Sequence, residues 1–172
     1  MPALLPTAFT GRGRLFMGGR ARRGGYNRDS KKYYDWLNHA EDDLTAANLL
    51  KSHADCYNAA AFHCQQAIEK ALKAYILFQS GQLVDGHNLM WLCHQAKKYD
   101  KGFHQWFDEC ADLNQCYIET RYPADILKEL DAKEVANFYR MATEMFNFID
   151  DEIDEELEGR AIAEEKAGKN IR

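Results

Sequence analysis

Proline is nearly absent from this chain: three in 172 residues, two of them in the first six positions and the third at Pro123. Its scarcity spares the body the strongest breaker of helices. Also missing is any apolar run near the roughly 20 residues that cross a bilayer, so no membrane partner is expected. The five cysteines, Cys56, Cys64, Cys93, Cys110 and Cys116, include no Cys-x-x-Cys pair. An odd count without a secretory apolar core reads as free, mostly buried thiols in a reducing cytoplasm. Serine is scarce and no Gly-x-Ser-x-Gly elbow occurs, which argues against a serine hydrolase of that kind. The folded body has no glycine-rich phosphate loop, and no cofactor is expected. Six histidines are present, but none forms His-Glu-x-x-His. The nearest grouping, His104 with Cys110 and Cys116, repeats every six residues. A helix of 3.6 residues per turn sends those side chains to different faces, so no metal is expected. No strand signal exceeds a few residues, and no internal repeat is evident.

What charge there is lies unevenly. The first 28 residues hold six arginines and no acid, so with the whole chain at −5 the remainder stands at −11. An acidic body is a poor non-specific binder of nucleic acid, since phosphate neutralisation needs Lys and Arg; a local basic cleft is still compatible. Residues 1–28 also hold six glycines and no helical period, and read as a disordered basic tail. Three readings stand for it: an extension upstream of a true start at Met17, a basic arm for an anionic partner, or a targeting peptide. The first, or a tail without function, is preferred.

The rest is patterned for helix. The stretch Asn58 to Phe78 has no Gly or Pro and is rich in strong helix formers. Ala60, Cys64, Ala67, Ala71, Ala74 and Phe78 recur at spacings of three and four, and Ala61, Ile68, Leu72 and Tyr75 widen the stripe. Small residues dominate its first half, so another backbone can approach there. The opposite side carries Gln65, Gln66, Glu69, Lys70 and Lys73. It reads first as the solvated face of a central helix, with Glu69 and Lys73 a surface pair four apart. The sharper reading is a site or subunit contact.

Around this helix the spacing predicts a first helix capped by Asp29 or Ser30 and running to about Ser52, a short turn at His53–Asp55, and an antiparallel return. The second helix should end near Ser80, with Gly81 in the left-handed terminal position. Asn88 should cap a third helix over residues 89–99. A fourth follows from about Phe103 to Glu119, stopped before Pro123. The last runs from about Asp131 to Leu157 or beyond. The expected fold is all-α, an up-and-down antiparallel bundle of four to five helices over residues 29–157, with 158–172 a charged, fraying end.

Two short stretches stand apart. Asp85-Gly86-His87-Asn88-Leu89 opens the third helix, and Tyr117-Ile118-Glu119-Thr120-Arg121-Tyr122-Pro123 closes the fourth. Arg121, beside Tyr122 and a helix-ending proline, suits the holding of an anion or a base; alternatively it pairs with a body carboxylate and fixes the turn.

Taken in order, Ala60-Ala61-Phe62-His63-Cys64-Gln65-Gln66-Ala67-Ile68-Glu69-Lys70-Ala71-Leu72-Lys73-Ala74, then Gly86-His87-Asn88-Leu89, then Thr120-Arg121-Tyr122-Pro123 resemble the HEPN family, the higher eukaryote and prokaryote nucleotide-binding domain. The resemblance covers about residues 30–155. It implies a helical bundle, commonly a homodimer, often paired with a minimal nucleotidyltransferase in prokaryotic two-gene modules, some of them toxin–antitoxin systems. Many members are metal-independent ribonucleases marked by Arg, four to six residues, then His. That mark is missing here: the positions needing His are Ile126, Leu127 and Lys128 after Arg121, and Met145, Phe146 and Asn147 after Arg140. The expectation is therefore a cytoplasmic binding module for a nucleotide, RNA or nucleotidyltransferase partner. Arg121 and Tyr122 would hold phosphate or base. His87 and Asn88 would add donors at a helix start. Lys70 and Lys73 would add charge, with Gln66 and Glu69 on the same face, and no catalytic residue is assigned. The alternatives are a ribonuclease using a non-motif histidine such as His63 or His87, and a purely structural dimerisation domain.

Overall fold

Helix α2, Tyr57–Ser80, lies at the centre because its sequence gives it apolar residues on most sides. In the computed structural model, which describes residues 30–119 and 129–169, it packs against all four other helices. These are α1 (Tyr33–Leu50), α3 (Leu89–Ala96), α4 (Phe107–Glu119) and α5 (Ala132–Lys169). Short 3₁₀ turns, Ala54–Cys56 and Lys101–Trp106, join α1 to α2 and lead into α4. The expected all-α bundle is what forms. The tail of residues 1–28, and Arg121 with Tyr122, lie outside the described residues.

The most extensive contact of α2 is with α1. Ala40 and Ala47 of α1 and Ala67, Ala71 and Ala74 of α2 are fully buried in one core cluster. Methyl-sized side chains let the two backbones draw close, as the sequence leads one to expect. At the far end the core is aromatic. Phe103 has its ring 4.5 Å from Tyr75 and 5.1 Å, edge on, from Phe148 of α5. Such pairs add about 0.5–1.5 kcal/mol to their area burial.

Three helix ends follow their chemistry, whereas the starts of α1 and α2 carry no side-chain cap. Gly81 closes α2 at φ 69°, a left-handed conformation that costs glycine nothing. Asn88 caps α3, its Oδ1 accepting from the Trp91 amide at 2.9 Å. Asp131 and Glu134 exchange side-chain bonds with each other's amides, a capping box that starts α5. The start of α1 differs from the sequence reading. Lys32, not Asp29 or Ser30, holds its N-cap position, and makes no side-chain cap. Ser30 stands two residues too early; its hydroxyl donates to Asp35 Oδ2 at 2.6 Å and accepts from the Lys32 amide.

Two further boundaries differ from the sequence reading. α3 stops at Ala96 and not at Tyr99, and the start expected for the fourth helix at Phe103 is a 3₁₀ turn. Asp100 accounts for the second: its Oδ1 takes the Gly102 amide at 2.8 Å and caps the 3₁₀ turn there. α5 continues to Lys169, with residues 158–167 exposed. Beside Asp100, Glu152 of α5 is half-buried, and burial followed by the Asp100 carboxylate pushes its carboxyl up to about 7.

Four of the five thiols are buried, Cys56 being the partly exposed one. Burial pushes Cys64 up to about 12, and a hydrogen bond with Cys93, then burial, push Cys110 up as well. Among the described residues no helix is long and apolar enough to cross a membrane, and no three His, Cys, Asp or Glu side chains are grouped to hold a metal.

Candidate functional site

One face of α2 overturns the solvated-face reading. Gln65 is fully buried, Glu69 is 4% exposed and Lys73 6% exposed. A helix with neighbours on every side has no half left for water, and periodicity alone does not count neighbours. The Glu69–Lys73 pair is therefore an interior ion pair and not the surface pair that spacing suggests, with Nζ 2.9 Å from Oε1.

Glu69 is the hub of this network. Oε1 accepts from Lys73 Nζ and meets His87 Nδ1 at 3.0 Å. Oε2 accepts from Gln65 Nε2 at 3.3 Å and from Gln66 Nε2 at 3.4 Å. Gln66 Nε2 also reaches Gln65 Oε1 at 2.7 Å, and Gln65 Nε2 reaches the His87 carbonyl at 3.3 Å. Burial alone would push the Glu69 carboxyl up. The hydrogen bond and charge of Lys73, and then those of His87, outweigh it and hold the group below the usual carboxylate range. Lys73 also lies 5.7 Å over the Trp36 ring, and Trp36 Nε1 donates to the Ser30 carbonyl at 2.8 Å.

A second hub stands on α1. Asp43 is 9% exposed; its Oδ2 accepts from Lys70 Nζ, and its Oδ1 lies 2.9 Å from His63 Nδ1. Each carboxylate is thus shared between one lysine and one histidine. Asp43 and Glu69 balance Lys70 and Lys73 in formal charge. Lys70, His63 and His87 are the more open members, with side chains 26%, 32% and 57% exposed, so the buried hubs carry a rim that water reaches.

Of the residues singled out in the sequence, Gln66, Glu69, Lys73 and His87 come together in one hydrogen-bonded cluster, with Lys70 beside it on Asp43. Asn88 caps α3 through its Oδ1, an acceptor. The donors expected at the start of α3 are largely taken: Leu89 N goes to Asn114 Oδ1 and Trp91 N to Asn88 Oδ1. Arg121 and Tyr122 fall outside the described residues. Asp43 was not singled out in the sequence, Gln65 was placed there only as part of the polar face of α2, and His63 only in the ribonuclease alternative. Asp43 could have been found, since it follows Ala40 by three and precedes Ala47 by four, on the buried stripe of α1.

The chain as a whole is similar to known proteins. The family description that matches this chain is the HEPN domain, over residues 33–153. Among solved structures, TT1696 from Thermus thermophilus is 25% identical with a TM-score of 0.63, the match covering 71% of this chain and 98% of that one. ST0689, titled an archaeal HEPN homologue, is 24% identical with a TM-score of 0.58, covering 72% and 99%, and supports the fold. No curated protein matches this chain.

Proposed function

Because this chain belongs to the HEPN domain family, we propose that it is a binding module for a phosphate-bearing ligand, a nucleotide first of all. In this reading it acts as a cytoplasmic homodimer beside a minimal nucleotidyltransferase, in a two-gene module of toxin–antitoxin type, without the Arg-x₄₋₆-His nuclease mark. The observation that carries the reading is the buried Gln65–Glu69–Lys73 network at the centre of α2. Replacing an interior ion pair by apolar residues of similar volume is often neutral or stabilising by about 1–4 kcal/mol, so folding alone gives little reason to keep it. A rim carrying Lys70 with two imidazoles is what an anion needs. Arg121 and Tyr122 are proposed to complete the contact to phosphate or base.

Purified full-length protein titrated with ADP, with light scattering for its mass, tests the reading. ADP should bind a dimer, and Lys70→Ala and Arg121→Ala should each weaken it by roughly 1.5–3 kcal/mol if each makes a charge-assisted hydrogen bond to the ligand. Arg121→Lys should restore only part, because a bidentate fork is lost. A monomer, or variants that bind normally, would refute it.

One observation favours the ribonuclease alternative. The carboxylates of Asp43 and Glu69 each fix an imidazole, at 2.9 and 3.0 Å, an arrangement suited to moving a proton. RNA cleavage abolished by His87→Ala would select that reading.

A further inference from the structure

His63 stands on the same stripe of α2 as Gln66, Lys70 and Lys73, since spacings of three, four and three residues stack side chains along one helix face. The Asp43 carboxylate fixes its chemistry. Oδ2 of that group accepts from the Lys70 ammonium, while Oδ1 lies 2.9 Å from His63 Nδ1. A carboxylate held by an ammonium only accepts, so Nδ1 carries the hydrogen of the ring. The other nitrogen, Nε2, then holds a lone pair in neutral imidazole and an N–H in imidazolium. A phosphate oxygen is an acceptor. Lone pair against lone pair repels, whereas N⁺–H against a phosphate oxygen is a charge-assisted bond.

We propose that His63 is a proton-gated phosphate contact of the α2 face, with α1 setting its tautomer through Asp43. The proposal rests on the phosphate-binding reading above and adds to it a residue and a mode of regulation. The charged groups around His63 among the described residues leave its proton decisive. Asp43 from α1 and Lys70 from α2 cancel in formal charge, and both are bound to each other. Glu69 and Lys73, next along the face, cancel likewise and meet His87 from the loop before α3. Lys51, at the end of α1, is drawn to the Tyr139 ring of α5 at 4.9 Å. The His63 side chain is 32% exposed, so proton and ligand both have access.

The test is titration calorimetry on the full chain with two probes, the dinucleotide UpU and ADP, at pH 6 and pH 8, in buffers of different ionisation enthalpy. UpU keeps one charge across this range, so any proton taken up belongs to the protein; for ADP the phosphate's own titration is subtracted. Binding should draw in protons, more at pH 8 than at pH 6, and affinity should fall roughly tenfold or more from pH 6 to pH 8, as expected for one imidazole that must be charged. Uptake with UpU assigns the site to a phosphodiester, and uptake with ADP alone to a nucleotide. His63→Gln should abolish the uptake and flatten the pH dependence, while the surface control His39→Gln keeps both. Binding without proton uptake by the wild-type chain, or uptake that persists in a folded His63→Gln variant, overturns the gate and leaves the phosphate site standing. Failure of both probes to bind at either pH overturns the two together.

Discussion

Replacing Glu69 and Lys73, singly and together, separates what the α2 network does for stability from what it does for binding. Glu69→Gln removes a carboxylate whose oxygens face four partners: Lys73, His87, Gln65 and Gln66. The Lys73 ammonium, with its side chain 8% exposed, is then left charged in the interior. Breaking a buried pair from one side costs about 3–5 kcal/mol, which for a domain of this size lowers Tm by roughly 10–20 °C. Glu69→Leu with Lys73→Met leaves no orphaned charge and fills similar volume, so it should lie within about 2 kcal/mol of the wild type in either direction. Urea denaturation followed by helical circular dichroism at pH 7.5 measures both, and ADP titration of the double variant completes the comparison. A stable double variant that no longer binds places the network in recognition. A double variant as unstable as Glu69→Gln would refute the argument, because the ion pair would then be serving the fold.

Other outcomes follow from the same structure. Glu152 keeps its proton in the folded chain up to about 7, against an ordinary 4.5, so the unfolded chain loses that proton first as pH rises. The stability it contributes therefore falls between those two values and is level above the higher. Solvent screening at a half-exposed site limits the change to about 1 kcal/mol. Glu152→Gln should remove that slope in urea melts taken from pH 4.5 to 8; an unchanged slope would show that the Glu152 carboxyl is not raised by burial and by Asp100. Ellman's reagent should titrate Cys56 readily in native protein and reach Cys64, Cys93, Cys110 and Cys116 only on unfolding. Fast reaction of a second thiol in native protein would contradict the burial.

The order and type of the helices were legible because local signals carry them. Gly81 and Asn88 mark their ends by backbone chemistry that needs no tertiary information. The start of α1 was not, because Ser30 is a good capping residue drawn instead to Asp35. The polar face of α2 was misread for a different reason. Hydrophobic periodicity reports which residues avoid water, and polar residues that satisfy one another in the interior look in sequence like residues that seek it. Glu69 and Lys73 were singled out while their burial was invisible. Asp43 was passed over because its partners, His63 and Lys70, lie 20 and 27 residues away on another helix.

The alanine seam between α1 and α2 bears on how such a protein can change over generations. Ala40, Ala47, Ala67, Ala71 and Ala74 have no solvent exposure, and a larger side chain at any of them would wedge the helices apart. The seam should thus be nearly frozen. What it holds constant is the distance from which α1 presents Asp43 to His63 and Lys70. With that spacing fixed by methyl groups, substitutions along the rim can alter the charge and shape offered to a ligand without moving the frame. Variation should therefore collect at the rim positions, and a library confined to Gln66, Lys70 and His87 should return more folded binders than one that also opens the alanines.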